Sequence, residues 1–105
     1  MSGISTHILD TALGRPASGI QVRLYREAEE LASAFTNEDG RVPALLPGNT
    51  PLVTGKYRIV FEVGARWTEG FYPEVSVSFW VRNPKSHYHI PLLISGFGFT
   101  TYRGS

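Results

Sequence analysis

Apolar side chains return at every second position through most of this chain, and that period limits what it can fold into. Ile20, Val22 and Leu24 alternate with Gln21, Arg23 and Tyr25. Tyr57, Ile59, Phe61 and Val63 stand against Arg58 and Glu62, and Val75, Val77, Phe79 and Val81 against Ser76, Ser78 and Arg82. A pleated strand sends successive side chains to opposite faces, so the pattern marks strands buried on one side. Turn chemistry separates the runs at Gly14-Arg15-Pro16, Asn37-Glu38-Asp39-Gly40, Pro47-Gly48-Asn49 and Asn83-Pro84. Strands are expected over 4–9, 20–26, 31–37, 42–45, 56–63, 74–82, 87–94 and 97–103. Short strands at this spacing predict an all-β sandwich of two antiparallel sheets. Residues 27–31 read as a hairpin turn, and residues 64–70 have room for one helical turn between flanking glycines.

Composition narrows the function classes. At 105 residues the chain fits one domain, 1–105, with a core of its own. Ten basic against nine acidic residues leave a net charge of +1, which attracts neither nucleic acid nor an anionic membrane. There is no cysteine, which excludes disulfides and thiolate chemistry and is compatible with a reducing compartment. No apolar run approaches the ~18 residues of a membrane span. Met1-Ser2-Gly3-Ile4 leads directly into a strand pattern without a signal-peptide core. A cytoplasmic location is the expectation.

The chemistry-bearing residues fall on outer faces. In 87–94, Tyr88, Ile90 and Leu92 form the core set, which turns His87, His89 and Pro91 outward. In 4–9, Ile4, Thr6 and Ile8 point inward, which turns Ser5, His7 and Leu9 outward. If the two strands share a sheet, His7 and His89 meet on it. An exposed, solvated histidine is the ordinary explanation for any one of the three. Against it, Leu9 and Leu93 lie on the same faces, as though a partner covered them. His87-x-His89 with His7 also has metal-ligand spacing, but no carboxylate accompanies it in those strands and Arg103 opposes a dication. No nucleophile elbow, phosphate-cradling loop or paired carboxylates are present. Trp67, Phe71, Tyr72, Phe79 and Trp80 read as core or interface.

The sequence ends Tyr102-Arg103-Gly104-Ser105 straight after an expected strand, which holds an arginine, a hydroxyl and a carboxylate in one place. Alone, the closing Gly-Ser reads equally as a cloning scar. It does not stand alone. Ser5-Thr6-His7-Ile8-Leu9-Asp10, Thr36-Asn37-Glu38-Asp39-Gly40-Arg41, Phe71-Tyr72-Pro73-Glu74-Val75 and His87-Tyr88-His89-Ile90-Pro91-Leu92-Leu93, together with Tyr102-Arg103-Gly104-Ser105, follow one another in order. In this set the chain resembles the transthyretin-related family of 5-hydroxyisourate hydrolases.

The resemblance implies a prealbumin-like sandwich of two four-stranded antiparallel sheets. It implies a homotetramer, a dimer of dimers, with sites in the channel between dimers. The family's catalytic positions fall on His7, Arg41, His89 and Ser105, and its substrate-binding positions on Tyr102, Arg103 and Gly104; His87 falls on the pocket rim. The stretch 64–70 is shorter than the family pattern, which carries a short helix there, so at most one helical turn is expected. The implied reaction is hydrolysis of 5-hydroxyisourate to 2-oxo-4-hydroxy-4-carboxy-5-ureidoimidazoline, with no cofactor or metal. In such a reaction water attacks a ring carbonyl while His7 or His89 takes its proton, and the other histidine orients water or protonates the leaving nitrogen. Arg41 and Arg103 are expected to lower both histidine pKa values and to offer forked donors to the ring oxygens. Two other readings stay open: a transthyretin-like small-ligand binder, and a structural β-sandwich module, which would be monomeric.

Overall fold

The first strand shows what the alternation does in three dimensions. In β1 (Gly3–Asp10), Ile4, Thr6, Ile8 and Asp10 are buried on one side, while His7 and Leu9 on the other are half-buried. The computed structural model describes residues 3–105, so Met1 and Ser2, where the expected signal-free entry into β1 begins, lie outside the described residues. Eight further strands follow: β2 (Arg15–Pro16), β3 (Gln21–Arg26), β4 (Glu29–Phe35), β5 (Arg41–Val42), β6 (Gly55–Phe61), β7 (Val75–Val81), β8 (His87–Ile94) and β9 (Phe99–Thr101).

They form two layers. One sheet runs β2-β1-β8-β9, with β5 also paired to β1; the other runs β4-β3-β6-β7. Each of the eight expected segments overlaps a strand, and the two-sheet, all-β expectation holds. The inner faces meet in one core that includes Ile4, Ile8, Tyr88 and Leu92 from the first sheet and Val22, Leu24, Tyr57, Ile59 and Phe61 from the second. Thr6, polar but turned into this core, is satisfied by donating its hydroxyl to the Ile90 carbonyl at 2.6 Å.

Four details refine the expectation. First, β2 is an added strand. Gly14, at φ +69°, closes a turn by donating its N–H to the Asp10 carbonyl, and the chain folds back so that Asp10 faces Arg15 and Leu9 faces Pro16. Second, β1 and β8 are parallel, from Gly3 opposite His87 to Asp10 opposite Ile94. No hairpin joins parallel neighbours, and here the connection between them passes through the whole second sheet. Third, residues 64–70 stay within the expected limit of one helical turn: no helix forms, and the Val63 carbonyl accepts from the N–H groups of Arg66, at 3.1 Å, and Trp67, at 3.0 Å. Arg66 pins that turn to the end of β1 through a 3.1 Å ion pair with the buried Asp10 carboxylate.

Fourth, β9 is shorter than the expected 97–103. Its ladder runs Ile94–Phe99, Leu93–Thr100 and Leu92–Thr101, then lapses opposite Pro91, which has no N–H to donate. The Thr101 hydroxyl bonds the Pro91 carbonyl instead, at 2.7 Å. Pairing resumes at an isolated bridge between His89 and Gly104, on the same register. Tyr102 and Arg103 occupy the gap.

Candidate active site

Three strands of one sheet bring the expected residues together. On β1, His7 lies opposite Arg41 of β5; on β8, His89 lies opposite Ser5 of β1. All four side chains therefore belong to one outer face, to which the alternation had assigned Ser5, His7 and His89.

The placement of Arg41 depends on a tight turn. The Asn37 side-chain carbonyl accepts from the N–H groups of Asp39, at 2.9 Å, and Arg41, at 3.0 Å. Gly40 closes the turn at φ +72°, and a Cβ there would stand 2.5 Å from the Ile8 carbonyl oxygen. The Gly40 carbonyl in turn accepts the Ile8 N–H at 2.7 Å, which seats the turn on β1 beside His7. The Asn37-Glu38-Asp39-Gly40 signal, read from sequence as a turn alone, is thus also what delivers the guanidinium.

The terminal segment reaches the same face by the His89–Gly104 bridge, in which Gly104 N–H donates to the His89 carbonyl at 2.8 Å. No side chain fits at residue 104: a Cβ would collide with His89 Cδ2 and lie 3.2 Å from Pro91 Cγ. The exposed Ser105 follows immediately. Arg103 turns to the other side of β8. Its guanidinium sits 4.5 Å over the Tyr88 ring, and Nη2 donates to the His87 carbonyl at 3.3 Å. Tyr102 is exposed, and with Val77, Phe79, Trp80 and Ile90 it lines a cavity of about 230 Å³ between the free edges β7 and β9.

Electrostatics distinguish the two histidines from solvated ones. Burial lowers the pKa of His7 below the usual 6.5, and the Arg41 guanidinium lowers it further, with Asp39 acting weakly in the opposite direction. His89 is lowered by burial first, then by Arg41, His7 and His87. Arg41 therefore acts on both rings, as expected. Arg103 contributes to neither, and the expected share of Arg103 in the shift is corrected: its guanidinium is engaged on the Tyr88 side of the strand. Both imidazoles are biased toward the neutral form, which is the form able to accept a proton.

Sequence reasoning gave Ser5 no role, only an outward direction. Its hydroxyl is buried, 2.7 Å from His87 Nε2 and 2.8 Å from His89 Nδ1. The available signal was its position, two residues before His7 on the same face. His87, exposed at the rim, joins the cluster through that hydroxyl. Among the described residues, no three His, Asp or Glu side chains are gathered to hold a metal.

A two-sheet sandwich with a His–Arg–His cluster on one outer face and a terminal segment docked against the second histidine defines a transthyretin-like architecture with a polar, titratable cluster on that face. The chain belongs to the HIUase/Transthyretin family, whose model matches residues 4–104. It is 42% identical to the 5-hydroxyisourate hydrolase of Mus musculus, over 99% of this chain and 96% of that one. It is 40% identical, over the full length of both, to the 5-hydroxyisourate hydrolase of Halalkalibacterium halodurans. The structure of Klebsiella pneumoniae 5-hydroxyisourate hydrolase superposes with a TM-score of 0.90 at 38% identity, covering all of both chains. Transthyretin from Sparus aurata superposes at 0.87 with 26% identity, over 99% of this chain and 97% of that one.

Proposed function

We propose that this chain hydrolyses 5-hydroxyisourate to 2-oxo-4-hydroxy-4-carboxy-5-ureidoimidazoline, a step of urate breakdown. The observation that carries the reading is the outer-face cluster of His7, Arg41 and His89, two imidazoles biased toward neutrality around one guanidinium. It is supported by full-length similarity to 5-hydroxyisourate hydrolases near 40% identity. The sea bream transthyretin solved with thyroxine shares the fold, at a TM-score of 0.82 and 26% identity, which makes ligand binding without turnover the alternative. A binding channel favours apolar walls, and this face carries imidazoles and a guanidinium instead.

In the proposed reaction a neutral histidine, His89 or His7, removes a proton from water as its oxygen adds to a ring carbonyl. Such general-base assistance contributes roughly 10²–10⁴ in rate. Arg41 offers two parallel N–H donors to the oxygen that gains charge, and loss of one donor of this kind costs about 3–4 kcal/mol of barrier. As the tetrahedral adduct collapses, the acyl–nitrogen bond breaks and the partner imidazole protonates the departing nitrogen. Ser105 would hydrogen-bond substrate or the His89 ring, Gly104 keeps the space beside that ring open, and Tyr102 and Arg103 shape the approach. The free edges β7 and β9 lie side by side with Trp80, Phe99 and Tyr102 exposed along them, which supports an edge-to-edge dimer as the first step toward the homotetramer. A cytoplasmic site of action belongs to the same reading.

Turnover in ¹⁸O-labelled water tests the reaction class. Hydrolysis places one solvent oxygen in the new carboxylate of the ring-opened product, and protein-accelerated decay without that label would refute it.

A further inference from the structure

We infer that Ser5 joins His87 to His89 in a proton relay that moves charge from the reactive cluster to the surface. The inference rests on the hydrolase reading and extends it to two residues outside the proposed catalytic set. The parallel register sets Ser5 opposite His89 and Gly3 opposite His87, so both rings of β8 lean over one buried hydroxyl. Ser5 Oγ meets His87 Nε2 at 2.7 Å and His89 Nδ1 at 2.8 Å.

A hydroxyl has one proton, and His87 Nε2 and His89 Nδ1 are the acceptors within its reach, so one ring nitrogen takes that proton and the other donates. The tautomers of His87 and His89 are therefore tied together. In one arrangement His89 Nδ1–H donates to Oγ, Oγ–H donates to His87 Nε2, and His89 Nε2 is bare and basic. In the other His87 Nε2–H donates to Oγ, Oγ–H donates to His89 Nδ1, and His89 Nε2 carries hydrogen and is acidic. Those are the two forms that hydrolysis needs in turn.

The proton balance closes without a further reactant. Starting from the first arrangement, His89 Nε2 takes a proton from the attacking water and becomes an imidazolium. Its Nδ1 proton passes to Ser5 Oγ while the Oγ proton passes to His87 Nε2. The positive charge now sits on exposed His87, away from Arg41 and His7, and His89 is neutral with hydrogen on Nε2. When the acyl–nitrogen bond breaks, Nε2–H goes to the departing nitrogen, His87 returns its proton through Ser5 to His89 Nδ1, and the first arrangement is restored. The other charged or titratable groups nearby are His7 on β1, Arg41 on β5, Asp39 in the preceding turn, and Arg103, whose Nη2 bonds the His87 carbonyl. None of them bridges the two rings.

The test compares the full chain with Ser5→Ala, Ser5→Thr and His87→Ala. Ser5→Ala and His87→Ala are expected to lower kcat on 5-hydroxyisourate by roughly tenfold or more with little change in KM, and Ser5→Thr, which keeps a hydroxyl, to restore most of it. Imidazole ¹⁵N spectra of the wild type should show complementary protonation of His89 Nδ1 and His87 Nε2, a correlation that is lost in Ser5→Ala. Full kcat and an unshifted pH profile in His87→Ala, an exposed position where folding is not at stake, would overturn the relay. Wild-type turnover abolished by His89→Ala would in that case leave the hydrolase reading intact. If the wild type shows no turnover the hydrolase reading fails, and uncorrelated tautomers of the two rings overturn the coupling as well.

Discussion

At the scale of single residues, the proposed site holds two imidazoles toward neutrality beside a permanent cation. Burial and Arg41 both stabilise the unprotonated rings, so the base of the proposed reaction persists below the ordinary histidine pKa of 6.5. The sign of the pH dependence follows. The base is present near pH 7 and is lost as pH falls through the lowered values, so kcat/KM should stay flat near neutrality and decline below pH 6.5. Replacing Arg41 with Met removes the second cause of both shifts, and the acid limb should move toward higher pH while kcat falls; a limb that stays in place would show that Arg41 does not set the histidines. Gly104 makes a second prediction. A methyl group at residue 104 meets the His89 ring, so Gly104→Ala should reduce kcat at least tenfold while the melting temperature barely moves. Unchanged kcat would mean that the ring is free to shift without consequence. The histidine positions were readable from alternation alone, whereas Ser5 was not: a serine on an outer face is unremarkable until the register sets it between two rings.

At the scale of elements, what matters is how each strand end is fastened. Asp10 closes β1 with three partners: its carboxylate accepts from Ala12 and Leu13 N–H, at 3.0 and 3.1 Å, and pairs with Arg66. Asp10→Ala should therefore cost about 2–3 kcal/mol by chemical denaturation, because it frees the 64–70 turn and strips two N–H groups of their acceptor. A loss under about 0.5 kcal/mol would place the fastening elsewhere. The turn 37–40 is the corresponding device for Arg41, and the lapse at Pro91 is the device that frees Tyr102 and Arg103 from the ladder before Gly104 re-engages His89. Strand periods and turn residues were legible because each is a local property. The parallel pairing of β1 with β8, the added strand β2 and the turn of Arg103 toward Tyr88 were not, since each depends on which segments become neighbours across the sheet.

At the scale of the whole molecule, the two sheets put their free edges and the face with the histidine cluster in different places. The edges β7 and β9 carry Trp80, Phe99 and Tyr102, while the cluster of His7, Arg41 and His89 lies on the outer face of the β1–β8 sheet. An assembly built first along the edges leaves that face available to line a space between dimers. Trp80→Glu combined with Phe99→Glu should break the edge contact and lower the sedimentation coefficient from that of a tetramer; an unchanged coefficient would mean that copies associate through other surfaces. The family was legible in the sequence through motifs spread over its whole length. The homotetramer is an expectation drawn from that resemblance alone, because exposed aromatic residues on an edge carry no information about how many copies meet there.

The decay of freshly generated 5-hydroxyisourate, followed by ultraviolet absorbance with the wild type and with His89→Ala, tests the central claim most directly. Strong acceleration by the wild type and a loss of roughly 10²–10⁴ in His89→Ala are expected. Decay that matches the protein-free rate in the presence of a folded wild-type assembly would contradict it.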